Sequence, residues 1–392
     1  MPSAKRKVKE ILADICERYV LYRCRRVEKI NIKDPARKVT YQKLELTEEQ
    51  KKEIDEIYIK NYGEKIPYTW HRYYTAFTGN FDAKYIPDLI FIPEFERFMN
   101  QNKPYIEVLA DKNVLSVFAK NAGITVPETF MACIKGVYRD GNGDCIKKED
   151  AIKAVWNIGE AFIKPTVDSS SGRGCAVVNF VDGKDTVSGK TVKELFDAMG
   201  RDFLLSERLK CHESISTLYQ NSVNTFRIMT YRWKDELIVV PSVMRIGQGG
   251  AVVDNGHQGG IFVAVDDDGT LHKRGMTEFK NEIYQHPDTG VVFDGYKIDL
   301  FPKVLKAAKK MHDAIPQAGS VGWDFTINEA GEPVLIEANL SAASLWLFEM
   351  SRGVGVFGDK TEEVLRWIRF MKETKLRDRT KFAFGKMPDN NG

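Results

Sequence analysis

The sequence predicts an α+β fold preceded by a helical N-terminal region, and two observations support this. Helices and strands alternate over residues 106–210, and the chain becomes strand-rich over residues 211–350. Residues 1–105 instead combine helical patterns with aromatic-rich connections, and residues 351–392 hold a last helix and a polar tail. We therefore expect two α+β lobes, 106–210 and 211–350, between a helical beginning and a helical end.

The individual elements follow from apolar periodicity and from Gly, Pro and Asn punctuation. In the first lobe we expect the helix DKNVLSVFAKNAG, the strand VPETFMACI, the helix KEDAIKAVWNIG, the strands AFIKP and CAVVNF, the helix TVKELFDAMG and the strand FLLSERL. In the second lobe we expect the strands NTFRIMTYRW, LIVVPSVMRIG and GIFVAV, the helix LFPKVLKAAKKMHDAI and a terminal hairpin. The last helix is TEEVLRWIRFMKET.

Positive charge is concentrated at the N-terminus. Residues 1–38 contain twelve Lys or Arg and five Asp or Glu, whereas the whole chain has a net charge of +3. Six apolar residues recur there at helical spacing: Val8, Ile11, Leu12, Ile15, Tyr19 and Tyr22. A basic amphipathic helix is therefore expected. It would either contact an anionic membrane surface or a polyphosphate-bearing partner, or pack on the body with its charges in water. The acids Glu10, Asp14 and Glu17 favour packing on the body.

Composition excludes several classes of protein. Hydrophobic residues make up 43% and charged residues 29% of the 392, and no apolar run is long enough to span a bilayer. The N-terminus has no secretory-signal pattern, and the six cysteines show no metal-ligand spacing, so we expect reduced thiols and a cytoplasmic protein. The sequence has no basic stripe with interleaved aromatic residues, so no nucleic-acid partner is expected.

The terminal hairpin, GWDFTINEAGEPVLIEANL, contains an unusual pair of acids. Centring its turn between Ala330 and Gly331 gives the apolar pairs Trp323–Ala338, Phe325–Ile336 and Ile327–Val334. On the other face Thr326 is then opposite Leu335, and Asp324 is opposite Glu337, with Asn339 further along. Two carboxylates in that position repel each other and destabilise a sheet, so a function is expected of them.

A second feature is the loop in AFIKPTVDSSSGRGCAVVNF, which joins two predicted strands. Glycines let backbone N–H groups approach phosphate oxygens, and serine hydroxyls and an arginine add donors. The loop residues concerned are Ser169, Ser170, Ser171, Gly172, Arg173 and Gly174. Lys164, at the end of the strand before the loop, would reach a phosphate, although an ordinary flexible hairpin has the same pattern. The segment GKDTVSGKT has the wrong glycine spacing for a P-loop, and we interpret it as a turn followed by a helix N-terminus.

Taken in order, these features closely resemble the ATP-grasp superfamily, and specifically its sugar-transfer-associated branch. The resemblance runs from about residue 50 to residue 350. Its segments are KIPYTWHRYYTAFTG, DKN…AGITVPET, IKPTVDSSSGRG, SVNTFRI, RIGQGGAVVDNGHQGG and GWDFTI…LIEANLSA. The resemblance implies an ATP-grasp fold, in which two α+β lobes hold ATP between them.

The resemblance also implies roles for individual residues. Asp324, Glu337 and Asn339 would hold Mg²⁺, or alternatively Mn²⁺, which explains the facing carboxylates. Lys112 and Lys164 would contact ATP phosphates.

Further roles are implied around the nucleotide. Glu207 would bind near adenine and ribose, and Glu213 is either a second ribose ligand or an exposed loop residue. Arg245 would stabilise the transferred phosphoryl group, and Arg227 would either do the same or pair with a buried acid. Asn255 would contact substrate or metal. His257, in the same loop, is either a general base or merely solvated.

The implied activity is that of an ADP-forming carboxylate–amine ligase acting through an acyl phosphate. Its partners would be small carboxylates and amines, sugar-linked in a surface-polysaccharide pathway. A phosphotransferase for a small molecule or sugar and a non-catalytic nucleotide-binding module are the alternatives. The aromatic cluster Trp70–Tyr74 would either stack on a sugar or belong to the core.

Overall fold

The computed structural model describes residues 4–166, 174–256, 259–278 and 282–388. The N-terminal region consists of helices joined by short turns. They are α1 (Ala4–Asn31), α2 (Pro35–Tyr41), α3 (Glu48–Tyr62), α4 (Thr69–Thr78), α5 (Asp88–Ile90), a π-helical turn (Phe91–Glu96), α6 (Arg97–Met99), α7 (Lys103–Leu109) and α8 (Lys112–Asn121). Local sequence fixes several starts: for example, the Thr47 hydroxyl accepts from the Gln50 N–H while the Gln50 side chain accepts from the Thr47 N–H, a capping box before α3.

A smaller antiparallel sheet follows, with its own core. Its strands are β1 (Thr129–Ile134), β2 (Val137–Asp140), β3 (Cys145–Ile146), β4 (Gly159–Pro165), β5 (Ala176–Val181), β6 (Lys184–Asp185) and β7 (Phe203–Glu207), in the order β3-β2-β1-β7-β4-β5-β6. Helices α9 (Lys148–Ala154) and α10 (Val192–Met199) bury Ala151 and Phe196 against it. The predicted helix N-terminus after GKDTVSGK is confirmed, because Thr191 and Glu194 form the capping box of α10.

A larger antiparallel sheet holds most of the remaining chain. Its strands are β8 (Thr225–Trp233), β9 (Glu236–Val239), β10 (Ser242–Ile246), β11 (Ile261–Val265), β12 (Leu271–Met276), β13 (Glu282–Ile283), β14 (Ser320–Ile327) and β15 (Pro333–Asn339). The order is β13-β12-β11-β10-β8-β14-β15, and β9 pairs with β8. The accompanying helices are α11 (Glu213–Ser216), α12 (Phe301–Ala314), α13 (Trp346–Arg352) and α14 (Thr361–Glu373), followed by a 3₁₀ helix (Leu376–Phe382).

The N-terminal helices share a core with the larger sheet. Residues of α3 and α4 belong to the same buried cluster as Tyr231 and Phe262 of the sheet and Trp367 of α14. Phe77 and Phe262, for example, stack with ring centroids 6.2 Å apart. The opposite face of the sheet is covered by α12. The cluster Trp70–Tyr74 is therefore part of the core, and the stacking of a sugar on it is wrong.

Two predicted strand features need correction. The single strand expected at LIVVPSVMRIG is divided into β9 and β10 around Pro241, which has no N–H to donate to the ladder. In the hairpin, Trp323 pairs with Ala338 and Asp324 with Glu337 as expected, but the register then shifts.

The shift is a bulge at Ile336 of β15. It leaves Phe325 opposite Leu335, Thr326 opposite Val334 and Ile327 opposite Pro333, so the pairs expected nearer the turn are wrong. A bulge adds one unpaired residue to one strand, which the alternation of side chains alone does not reveal.

The predicted basic helix is confirmed as α1, but its orientation differs from the expected one. It packs on the body through Glu10, Asp14 and Glu17, and the six apolar residues of the predicted face are exposed. No helix in the described ranges combines the length and the apolar character needed to cross a membrane.

Candidate functional site

A cavity of about 880 Å³ lies between the two sheets and reaches the N-terminal helices. Its walls come from β4, β5 and β7 of the smaller sheet and from β8, β10, β14 and β15 of the larger one. Glu28 and Asn31 of α1, Arg37 of α2 and Asp88 of α5 line its far end. The cavity thus has a phosphate end, between the sheets, and an acidic end, beside the N-terminal helices.

Asp324 lies at the centre of the phosphate end. Its oxygens accept hydrogen bonds from Arg227 Nε at 2.5 Å and Nη2 at 3.0 Å, and Arg245 Nη2 is 3.2 Å from Oδ2. Burial opposes ionisation of Asp324, but the two arginines outweigh burial and hold its pKa below the ordinary value. The sequence left two roles open for Arg227, and the structure shows that it pairs with a buried acid, Asp324.

Arg245 is anchored from a second side by Asp254. Arg245 Nη2 is 3.5 Å from Asp254 Oδ1 and donates to Thr225 Oγ1 at 2.7 Å. Thr225 in turn donates through its backbone N–H to Asp254 at 2.9 Å. Asp254 is not among the residues predicted from the sequence, although its place in VVDNG, beside Asn255, is a usable signal. Asn255 itself lines the cavity, whereas His257 lies outside the described residues.

Two lysines come together at the phosphate end. Lys112 Nζ is 3.0 Å from Glu337 Oε1. Lys164 is only 7% exposed and makes no hydrogen bond or ion pair with the residues that the structure describes. Burial, and then the neighbouring charge of Lys112, lower the pKa of Lys164 to about 8. Two buried ammonium groups in a cavity form an anion site, because only an anion relieves their desolvation and mutual repulsion.

The other predicted nucleotide contacts are distributed unevenly. Glu207, at the end of β7, lines the cavity and accepts a hydrogen bond from the Glu128 backbone N–H at 2.8 Å. Glu213 is exposed at the start of α11 and does not line the cavity, so its proposed ribose contact is not supported by its position. Gly174, with φ of 73°, ends the phosphate loop. Five loop residues lie outside the described ranges: Ser169, Ser170, Ser171, Gly172 and Arg173.

The residues expected to hold a divalent cation have a suitable donor set. Asp324 and Glu337 are partners across two strands, and Asn339 Nδ2 donates to Asp324 Oδ2 at 3.3 Å. They offer carboxylate and amide oxygens, which Mg²⁺ prefers. In the described ranges no group of three His, Cys, Asp or Glu side chains is placed to hold a metal. The set therefore fits an ion that takes its remaining ligands from water or phosphate, as Mg²⁺ does.

A strained loop connects β15 to the N-terminal region. Ala342 and Ser344 line the cavity with φ of 54° and 57°, values that residues other than glycine rarely adopt. The buried Glu96 carboxylate accepts the N–H groups of Ala342 at 2.6 Å and Ala343 at 3.0 Å. Burial raises the pKa of Glu96 to about 7 despite these two bonds. Such strain is retained where it positions a functional group, here beside Arg227, whose Nη1 lies 3.4 Å from the Ala343 carbonyl oxygen.

The acidic end of the cavity was not identified from the sequence. Asp88 is 5% exposed, and its Oδ1 is buried without a hydrogen-bond partner. Burial raises the pKa of Asp88 to about 6, and burial together with the charge of Asp88 raises that of Glu28 to about 7. Arg37 faces both carboxylates but makes no direct ion pair with the residues described. The single acid in the apolar segment YIPDLIFIP was the available signal.

The fold and the site define an ATP-grasp protein, in which two sheets enclose a cavity of about 880 Å³ with buried lysines, arginines and hard-oxygen ligands at one end. Residues 91–364 match the family described as sugar-transfer associated ATP-grasp, and the chain belongs to that family. No curated protein of similar sequence was found.

Solved structures of similar fold include three ligases or synthetases. L-amino acid ligase from Bacillus licheniformis is 13% identical, with 68% of this chain and 48% of that chain covered and a TM-score of 0.38. VanG D-Ala:D-Ser ligase from Enterococcus faecalis is 15% identical, with coverages of 67% and 62% and a TM-score of 0.39. N5-carboxyaminoimidazole synthetase from Staphylococcus aureus with ADP is 12% identical, with coverages of 60% and 45% and a TM-score of 0.36. The chain spans between 45% and 62% of the length of these proteins.

Proposed function

We propose that the protein is an ATP-dependent carboxylate–amine ligase that forms ADP and an acyl phosphate before it forms an amide. The observation that carries this proposal is the anion site made by buried Lys164 and Lys112, in one cavity with Arg227, Arg245 and paired carboxylates. Four cations face a site in which Asp324, Asp254 and Glu337 are each already paired with at least one of them. Such a site accommodates a polyphosphate and neutralises charge on a transferred phosphoryl group.

The charge state of the phosphate end favours a carboxylate acceptor over a hydroxyl. A hydroxyl needs a base to remove its proton, whereas a carboxylate is already an anion. Three described carboxylates beside the arginines and Lys112 are engaged: Asp324 and Asp254 with arginines, and Glu337 with Lys112. An oxygen of the substrate carboxylate then attacks the γ-phosphorus of ATP, the bond to the ADP oxygen breaks, and an acyl phosphate and ADP are formed.

Arg227 and Arg245 balance the negative charge that moves to the transferred phosphoryl oxygens. Asp324 and Asp254 hold the two arginines in place, so little reorganisation is needed as the charge moves. Mg²⁺ held by Asp324, Glu337 and Asn339 would supply further shielding of the phosphate charges.

The amine is proposed to bind at the acidic end. An ammonium group would offset the desolvation cost of the buried Asp88 and Glu28 carboxylates, which have no direct ion pair with Arg37. A carboxylate with a pKa near 7, as burial gives Glu28, is suited to take the ammonium proton. The amine nitrogen then attacks the acyl carbon, the carbon–oxygen bond to phosphate breaks, and amide and inorganic phosphate result.

The family description associates the chain with sugar transfer, and we therefore propose that one substrate is sugar-linked, such as a uronic acid or an amino sugar in surface-polysaccharide synthesis. Phosphorus NMR on the protein with Mg-ATP and pooled carboxylates and amines tests the proposal. ADP and inorganic phosphate are expected only when both a carboxylate and an amine are present. ADP with a new phosphate ester and no amine requirement would indicate the phosphotransferase instead, and AMP with pyrophosphate would indicate adenylation.

A further inference from the structure

Helix α1 exposes a continuous apolar stripe. Seven large apolar side chains along it are between 54% and 61% exposed: Val8, Ile11, Leu12, Ile15, Tyr19, Tyr22 and Ile30. At 3.6 residues per turn they fall within an arc of about 100°, which is the width of a face that normally packs against something. Isolated exposed apolar residues are ordinary, but an ordered stripe along one helix indicates an interaction surface.

The opposite face of α1 fixes this orientation. Glu10 pairs with Arg377 at 2.5 Å, and Glu17 pairs with Arg379 at 2.9 Å. Asp14 accepts a backbone N–H of the C-terminal segment at 2.9 Å. Because its acids are committed to the body, the helix cannot rotate to bury its stripe without breaking these bonds.

The charges beside the stripe are all of one sign. From residue 6 to residue 30 the four acids of the helix are buried or half-buried, and the exposed positions carry no Asp or Glu. The exposed positions do carry seven basic residues: Arg6, Lys7, Lys9, Arg18, Arg23, Arg26 and Lys29. Arg26 lies within the arc of the stripe and the other basic residues beside or beyond it, so the exposed charges of α1 from residue 6 to residue 30 are all cationic.

We propose that α1 docks the protein on an anionic lipid bilayer, lying in the plane of the headgroups. An apolar stripe that includes two tyrosines and is accompanied only by Lys and Arg charges matches the interface between acyl chains and anionic headgroups. A second copy of the chain is the less suitable occupant, because it would bring seven cations against seven. At 1.5 Å per residue the 28-residue helix offers a contact roughly 40 Å long.

Vesicle sedimentation with the full chain tests the proposal. We expect it to pellet with vesicles of equal phosphatidylcholine and phosphatidylglycerol, at least tenfold more than with phosphatidylcholine alone. Bound protein should fall severalfold as salt rises from 0.1 M to 0.5 M, because salt screens the headgroup charge. Ile15→Glu should abolish pelleting, whereas Val117→Glu should not. These two residues are matched, being 56% and 58% exposed on helices.

A second variant separates charge from apolar contact and guards against misfolding. The double variant Arg18→Gln and Arg23→Gln keeps the stripe and should lose most of the salt-sensitive binding, with an unchanged circular dichroism spectrum. Failure to pellet with anionic vesicles, or equal pelleting with both vesicles, would overturn the proposal. So would a concentration-dependent dimer in analytical ultracentrifugation that Ile15→Glu dissociates, because the stripe would then bind a second copy.

Discussion

Replacing Asp88 with Asn should make the protein more stable and worse at using its amine. Burial raises the pKa of Asp88 from 3.8 to about 6, so the ionised carboxylate opposes folding. The difference corresponds to about 3 kcal/mol once the pH exceeds the folded-state pKa. Below about pH 3 the group is largely neutral in both states and opposes nothing. The stabilisation by Asp88→Asn should therefore be only about 0.5 kcal/mol at pH 4, grow between pH 4 and 6, and reach about 3 kcal/mol at pH 8.

The assay combines denaturant unfolding at pH 4 and pH 8 with ADP release at varied amine concentration. Loss of a charge-assisted hydrogen bond to an ammonium group, about 2 kcal/mol, should raise the KM for the amine roughly thirtyfold and leave the KM for ATP unchanged. Glu349→Gln is the matched control. Glu349 is also fully buried with a raised pKa, but it does not line the cavity. It should stabilise the protein without changing either KM.

Two results would refute this reasoning. If Asp88→Asn lowers stability at pH 8, the carboxylate serves the fold and not a ligand. If stability rises but the KM for the amine is unchanged, the acidic end is not the amine site, and the ligase proposal survives without it.

Three further predictions concern the phosphate end. Lys164→Met should reduce ATP-dependent turnover at least a hundredfold. The same variant should raise the thermal midpoint of unfolding at pH 7. Burial lowers the pKa of Lys164 to about 8, so the buried ammonium form opposes folding below that pH. A lower midpoint in calorimetry would contradict this. Asp324→Asn should lower the free energy of unfolding by about 3 kcal/mol, because Arg227 is left buried without its carboxylate. By contrast, Glu337→Gln should change the free energy of unfolding by less than about 1 kcal/mol, because the Glu337 side chain is 36% exposed. Both variants should abolish ADP formation. Equal losses of stability in urea unfolding would refute the distinction between the two residues. Glu96→Ala should lower kcat about tenfold at unchanged KM for ATP, because the strained loop after β15 loses the carboxylate that binds its N–H groups. An unchanged kcat in steady-state kinetics would show that the loop keeps its conformation without Glu96.

Much of the phosphate end could be predicted because it depends on local pairing. The facing of Asp324 and Glu337 follows from the turn and the alternation of a single hairpin, and the structure has the same pair. The bulge at Ile336 could not be predicted in this way, because either strand of a hairpin can hold an extra residue. The partner of Arg227 was also undecided, since β8 and β14 become neighbours only when the larger sheet forms.

The acidic end and the orientation of α1 depend on contacts between distant parts of the chain. Asp88 and Glu28 meet across different helices, and neither has a local pattern that marks a site. The apolar stripe of α1 was visible as a periodicity, but periodicity alone does not tell which face packs. The packed face is determined by Arg377 and Arg379, which bind the acids of the helix. These arginines lie more than 350 residues later in the chain.

The core shared by the N-terminal helices and the larger sheet also has a consequence for biosynthesis. The buried side chains of α3 and α4 have no complete partner surface until β8 has been made, and β8 begins well over a hundred residues after α4. At 5–20 residues per second, that interval is on the order of ten seconds. During it, Trp70, Tyr74 and Phe77 leave the ribosome without the strands that later cover them. Slow translation or scarce chaperones should therefore reduce the yield of this protein through its first hundred residues, before the nucleotide site has been synthesised.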